Sequence, residues 1–135
     1  MITLHLLEYL KDNGFGTAID TDLFFEVLPL GKEGLAIFSR GGEATYGRRR
    51  CVQRFDLYSR GSSNLTGYDK LDKVRTFFSD NYDNLCDLPT IDGVSDRVYK
   101  KARITAIDNV ENLGLDENDR VIYRLGAEII YEKAV

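Results

Sequence analysis

Six apolar residues at every second position, Val121, Tyr123, Leu125, Ala127, Ile129 and Tyr131, constrain the fold of this sequence more than any other feature. Successive side chains of a strand point to opposite faces, so this run is a strand with one continuous apolar face that another layer must cover. Cys51 to Ser59 has the same period, with Cys51, Phe55 and Leu57 on one face and Arg54, Asp56 and Tyr58 on the other. The covering layer is legible as two helices. Ile2 to Asn13 places Leu4, Leu7 and Leu10 on one face, with Thr3 as the expected N-cap and Gly14 as the left-handed residue that ends it. A longer helix is expected to begin at Thr66, with Asp69 completing a variant capping box and Tyr68, Leu71, Val74, Phe78 and Tyr82 at helical spacing.

The remaining strands are shorter. Asp22 to Leu28 stops at Pro29, and Leu35 to Arg40 resumes after Gly31-Lys32-Glu33-Gly34, which reads as a hairpin. Leu85 to Pro89 reads as a short edge segment and Val98 to Asp108 as a long strand, joined to the last strand through a hairpin at Leu113 to Asp119. The order of elements predicts an α+β fold, a mainly antiparallel sheet with two helices packed on one face. At 135 residues one core suffices, and residues 1–135 are expected to form one domain in which Phe55, Leu57, Ile104, Leu125 and Ile129 meet Leu71, Val74 and Phe78. The short apolar start lacks a basic lead, no stretch approaches membrane-spanning length, and two cysteines give no disulfide framework. Synthesis in a reducing cytoplasm is the resulting expectation.

Catalytic and metal-binding patterns are not found. His5 is the sole histidine, which removes most Ser-His and Cys-His arrangements and most zinc sites. Cys51 and Cys86 have apolar neighbours and read as buried thiols. Asp20 and Asp22 offer two carboxylates without supporting oxygens, and Asp116 to Asp119 lacks the glycine and distal glutamate of a calcium loop. No glycine-rich phosphate loop occurs. The expectation is a protein without enzymatic activity, metal or cofactor.

Charge supplies the positive signal. Six arginines, Arg40, Arg48, Arg49, Arg50, Arg54 and Arg60, against Glu43 and Asp56 give the segment Arg40 to Arg60 a net charge of +4, leaving −8 on the rest of a −4 chain. The glycines at Gly41, Gly42 and Gly47 make Gly41 to Arg50 read as a mobile basic loop between two strands. Like charges adjacent in sequence contribute little to folding when solvated, so Arg40, Arg48, Arg49 and Arg50 are the candidate contacts to an acidic partner or to passing nucleic acid.

The N-terminal amphipathic helix, the strands Asp22-Leu-Phe-Phe-Glu-Val and Leu35-Ala-Ile-Phe-Ser-Arg-Gly-Gly, the segment Arg50-Cys-Val-Gln-Arg-Phe-Asp-Leu-Tyr-Ser-Arg, the helix Tyr68-Asp-Lys-Leu-Asp-Lys-Val-Arg and the C-terminal hairpin together resemble the tail terminator family of long-tailed bacteriophages, also described as minor capsid proteins. The resemblance spans nearly the whole chain in layout rather than in one invariant motif. It implies a structural protein, made in the host cytoplasm and carried at the neck end of the virion tail. That protein forms a homo-hexameric ring on the tail tube protein, stops tube growth and meets a head-completion or connector protein, with DNA passing through the ring and no membrane involved. The other reading of the same residues is a small ligand-binding or regulatory α+β module whose tyrosine-rich sheet face holds a small molecule.

Overall fold

The computed structural model describes residues 2–47 and 50–133. Helix α1 (Ile2–Asp12) turns Ile2, Leu6, Leu7 and Leu10 into the core, while Leu4 is only half-buried. Thr3 is not its cap: it lies inside the first turn, fully buried, and its hydroxyl donates to Glu26 at 3.3 Å. Gly14 follows the helix at φ +85°, as its position predicts.

The strands are β1 (Leu23–Phe25), β2 (Gly34–Tyr46) and β3 (Arg50–Arg60) before helix α2 (Asn64–Asp80), then β4 (Tyr99–Ala106), β5 (Glu111–Leu115) and β6 (Val121–Lys133). They form one six-stranded sheet in the order β1-β2-β3-β6-β4, with β5 continuing the β4 edge along the first half of β6. All pairings are antiparallel except β1 with β2. The fold is therefore α+β with a mainly antiparallel sheet.

Two expectations about β2 are corrected. The β1–β2 connection is no hairpin: the two strands run parallel, Leu23 beside Leu35 and Phe25 beside Ile37. Glu26 at φ +57° ends β1 after three residues, and the chain crosses back through Pro29 so that Leu35 donates to the Asp22 carbonyl at 3.0 Å. Gly34 makes that approach feasible, because it sits at φ +145° and a Cβ there would run into the Asp22 carbonyl oxygen. Gly34→Ala should cost more than ~1 kcal/mol, a loss readable in urea unfolding. Second, Gly41 to Arg50 is not a long loop. β2 continues to Tyr46 and pairs with β3 to the tip, with the extra residues between Arg40 and Ala44 absorbed as a bulge. Buried Gln53 pins that bulge by donating to the Gly41 carbonyl at 3.1 Å.

Helix α2 starts two residues before the expected Thr66. Ser63 is the N-cap, and Thr66 is the third helical residue, returning a side-chain bond to the Ser63 N–H at 2.9 Å. Asp69 instead pairs with Lys73, and Tyr82 lies beyond the helix end. The helix buries Leu71, Val74 and Phe78 against the sheet, where Phe55, Leu57, Leu125 and Ile129 are fully buried and Ile104 nearly so. One cluster of apolar side chains joins both helices to the inner face, as the sequence periods require.

Candidate partner surface

The opposite face of β3 and β6 carries the even-numbered residues, and no helix covers it. In register across β2, β3 and β6 lie Phe38, Asp56 and Gly126 at one level and Arg40, Arg54 and Glu128 at the next. Arg124 is the hub of the charge on this face. Its guanidinium donates to Asp56 at 2.8 Å, to Glu111 at 3.1 Å and to Asp108 at 3.3 Å. Partial burial disfavours its charge, but the hydrogen bond and charge of Asp56, then Asp108 and Glu111, outweigh that and hold Arg124 protonated above the ordinary range. Asp108 also accepts from the Gly126 N–H at 2.7 Å, an approach that a side chain at 126 would obstruct.

Arg40 projects from β2 onto this network, its Nε 3.7 Å from Asp56, and Arg54 lies 3.8 Å from Glu128. Arg60, at the end of β3, is 2% exposed and belongs to the body of the fold. Its Nη1 donates to the Pro29 carbonyl at 2.6 Å and the Lys32 carbonyl at 3.0 Å, while its Nε meets Asp116 at 2.6 Å. The concentration of arginine between Arg40 and Arg60 thus has a folding reason at Arg60, which corrects the expectation that it has none, while Arg40 and Arg54 make exposed surface pairs. Arg50 opens β3 as an exposed residue in register with Glu132. Arg48 and Arg49 lie outside the described residues.

Several of the other singled-out residues are engaged within the fold. His5 is fully buried, with Nδ1 2.8 Å from the Pro89 carbonyl oxygen and Nε2 3.0 Å from the Ser95 hydroxyl, and its ring meets Tyr99 edge-on at 4.9 Å. Asp22 caps the turn before β1. Partial burial raises its pKa, but the N–H groups of Ala18 and Thr17, the Thr17 hydroxyl and the charge of Lys70 hold the carboxyl below its usual range. Asp116 does the same for the β5–β6 turn, accepting from Asn118 at 2.8 Å and Arg120 at 3.0 Å. Cys51 is buried and Cys86 half-buried. Among the described residues no three His, Cys, Asp or Glu side chains converge as metal ligands, and no helix is long and apolar enough to cross a membrane.

The tyrosines of the inner sheet face are occupied by packing: Tyr99 and Tyr131 meet edge-on at 5.2 Å, and Tyr123 meets Tyr68 of α2 at 5.7 Å. The open apolar surface is elsewhere, a groove of about 480 Å3 on the outer face floored by Phe38, Tyr58 and Ile122 and rimmed by exposed Leu113 and Leu115. Arg124, Asp108 and Glu111 escaped the sequence reading, although the outward positions of the alternating strands carry the signal for Arg124 and Asp56. No protein-family model matches the sequence, and no curated protein matches it at a significant level.

Proposed function

We propose that this chain is a structural tail terminator of a long-tailed bacteriophage, a non-enzymatic protein that assembles as a homo-hexameric ring on the tail tube. The ring stops tube elongation and offers its other side to the head-completion or connector protein, with DNA passing through its lumen. Support comes first from the resemblance in layout along nearly the whole chain. The observation that carries the reading beyond that is the uncovered outer sheet face, cross-braced by Arg124, Asp56, Asp108 and Glu111 and bordered by exposed Leu113 and Leu115. A rigid, uncovered face suits a cyclic interface, in which one patch meets a different patch on the next copy. Arg50, exposed at the start of β3, together with Arg48 and Arg49 before it in the sequence, is the proposed contact to an acidic partner or to the lumen.

The test is complementation of a terminator-deficient phage with Arg48→Gln, Arg49→Gln and Arg50→Gln combined. Arg50 is exposed at the start of β3, so the melting temperature should stay within about 2 °C of the parent, while tails lengthen or fail to join heads. Normal tails with this variant remove these arginines from the interface. Failure of the unaltered gene to restore tail length rejects the terminator reading itself.

A further inference from the structure

We propose that the open edge of β4 beside α2 is a docking groove for an extended acidic segment of another protein, which adds to the sheet as one more strand. Parts of the sheet's edges are covered by this chain. Ile19 bridges Leu23 of β1, with Asp20 donating to the Leu23 carbonyl at 2.7 Å. Cys86 exchanges both backbone bonds with Ala102 of β4, at 3.1 and 2.7 Å, and Leu88 donates to the Tyr99 carbonyl at 3.0 Å. Beyond Ala102 this cover ends.

Antiparallel strands direct the backbone groups of alternate residues toward and away from a given neighbour. The Ile107 N–H reaches the Gly126 carbonyl on β6, and Ala102 faces Cys86 on the other side. Ile104 and Ala106, in step with Ala102, therefore turn their N–H and C=O groups outward, away from β6. At Ala106 the edge borders a groove of about 410 Å3 whose opposite wall is α2, through Arg75, Phe78 and Ser79, and the following Tyr82. A strand edge facing a helix wall is the geometry that takes extended peptides by strand addition.

Charge selects the occupant. The Arg103 guanidinium lies 4.6 Å over the Tyr82 ring and its Nε donates to the Tyr82 carbonyl at 2.9 Å, and no carboxylate among the described residues forms an ion pair with it. Arg75 touches Asp72 at 3.3 Å and is 43% exposed. The one carboxylate in the groove wall, Asp108, is already engaged by Arg124 and the Gly126 N–H. Arg75 lines the groove and Arg103 stacks on Tyr82 of its wall, so two cations border the half-exposed Tyr82 and Ile107, which suits a segment alternating acidic and apolar residues. Self-pairing of this edge is two-fold and closes after two copies, so a ring leaves the groove to a different protein.

The probe is a fluorescent hexapeptide alternating glutamate and valine, titrated against the whole protein by anisotropy at low and physiological salt. Saturable binding is expected, weakened at least about tenfold when lysine replaces glutamate, when alternate peptide amides are N-methylated, in Ala106→Pro and in Arg103→Glu. Ala106→Pro removes an outward N–H without a β6 bond, and the N-methylated peptide tests the same bonds should that variant fail to fold. No binding at millimolar peptide, or binding indifferent to charge and N-methylation, overturns the proposal. Light scattering that reveals a dimer dissociated by Ala106→Pro assigns the groove to a second copy instead. None of these readouts requires ring assembly.

Discussion

Phe55→Ala should destabilise the protein by ~3–5 kcal/mol and lower its melting temperature by on the order of 10 °C. Phe55 is fully buried on β3, which is bonded to β2 on one side and β6 on the other, opposite Ser39 and Ala127. Its ring meets Phe78 of α2 edge-on at 6.5 Å. Truncation leaves a void between sheet and helix, and a strand held by two ladders has little freedom to close it. The cost therefore belongs at the upper end of the range for large-to-small changes. Leu65→Ala is the control, since that residue is 77% exposed on the first turn of α2, and its effect should stay within ~0.5 kcal/mol. Urea unfolding with equal m-values checks both. A loss below ~1 kcal/mol for Phe55→Ala contradicts its placement between sheet and helix.

The inner face was readable because period fixes it. Val121 to Tyr131 and Cys51 to Leu57 place the residues in the core that alternation demands, and Leu71, Val74 and Phe78 meet them at helical spacing. Connections were harder, because a turn-rich sequence does not say whether the chain returns antiparallel or crosses over. Pro29 and Gly31 suit either course. What decides is Glu26 at positive φ, where its carboxylate accepts from the Ser39 N–H at 2.8 Å and from the Ser39 hydroxyl at 2.6 Å, bonds to a residue thirteen positions away. The same holds at α2, where both Ser63 and Thr66 are competent caps and position relative to Gly61 and Gly67 selects Ser63. The close fit there leaves no room for a Cβ on Gly61 beside Thr66 and Gly67.

Charge was legible as an excess but not as a pattern. A net +4 segment reads as an unpaired basic loop only while its partners are unseen, and those partners come from strands far along the chain. Asp56 is shared by Arg40 and Arg124, Arg54 is answered by Glu128, and Arg60 by Asp116. The candidate site accordingly narrows. Arg40 belongs to the outer-face network, whereas Arg50 stands at the exposed hairpin end, and together with Arg48 and Arg49 it carries the assembly test. Surface pairs such as Arg54 with Glu128 contribute little individually, so the network's part is to tie Asp108 and Glu111 to β3 and β6 through Arg124 rather than to add much to overall stability.

Arg60→Ala should be the most damaging single change of a charged residue, lowering the melting temperature by on the order of 10 °C. This side chain is 2% exposed and ties three chain segments together: the end of β3, the β1–β2 crossover through the Pro29 and Lys32 carbonyls, and the β5–β6 turn through Asp116. Charged hydrogen bonds of this kind contribute ~1.5–3 kcal/mol each, and their removal leaves the Pro29 carbonyl with only the longer bond from the Lys32 N–H. Acid separates the parts of the effect. The Arg120 N–H, most of all, holds the Asp116 carboxyl below the usual range; desolvation opposes this, and the Asn118 N–H and Arg60 add to the lowering. A carboxyl depressed on folding stabilises fully above its unfolded pKa of about 3.9 and loses that contribution as pH falls through the lower folded value. The stability gap between the parent and Asp116→Asn should therefore be widest near neutrality and shrink as acid protonates the folded-state carboxyl. Arg60→Ala should keep a large deficit throughout, because its bonds to the Pro29 and Lys32 carbonyls do not titrate. Urea unfolding of the three proteins across pH measures both gaps. An Arg60→Ala deficit that vanishes in acid along with that of Asp116→Asn would mean that the ion pair, and not the crossover carbonyls, is what Arg60 supplies.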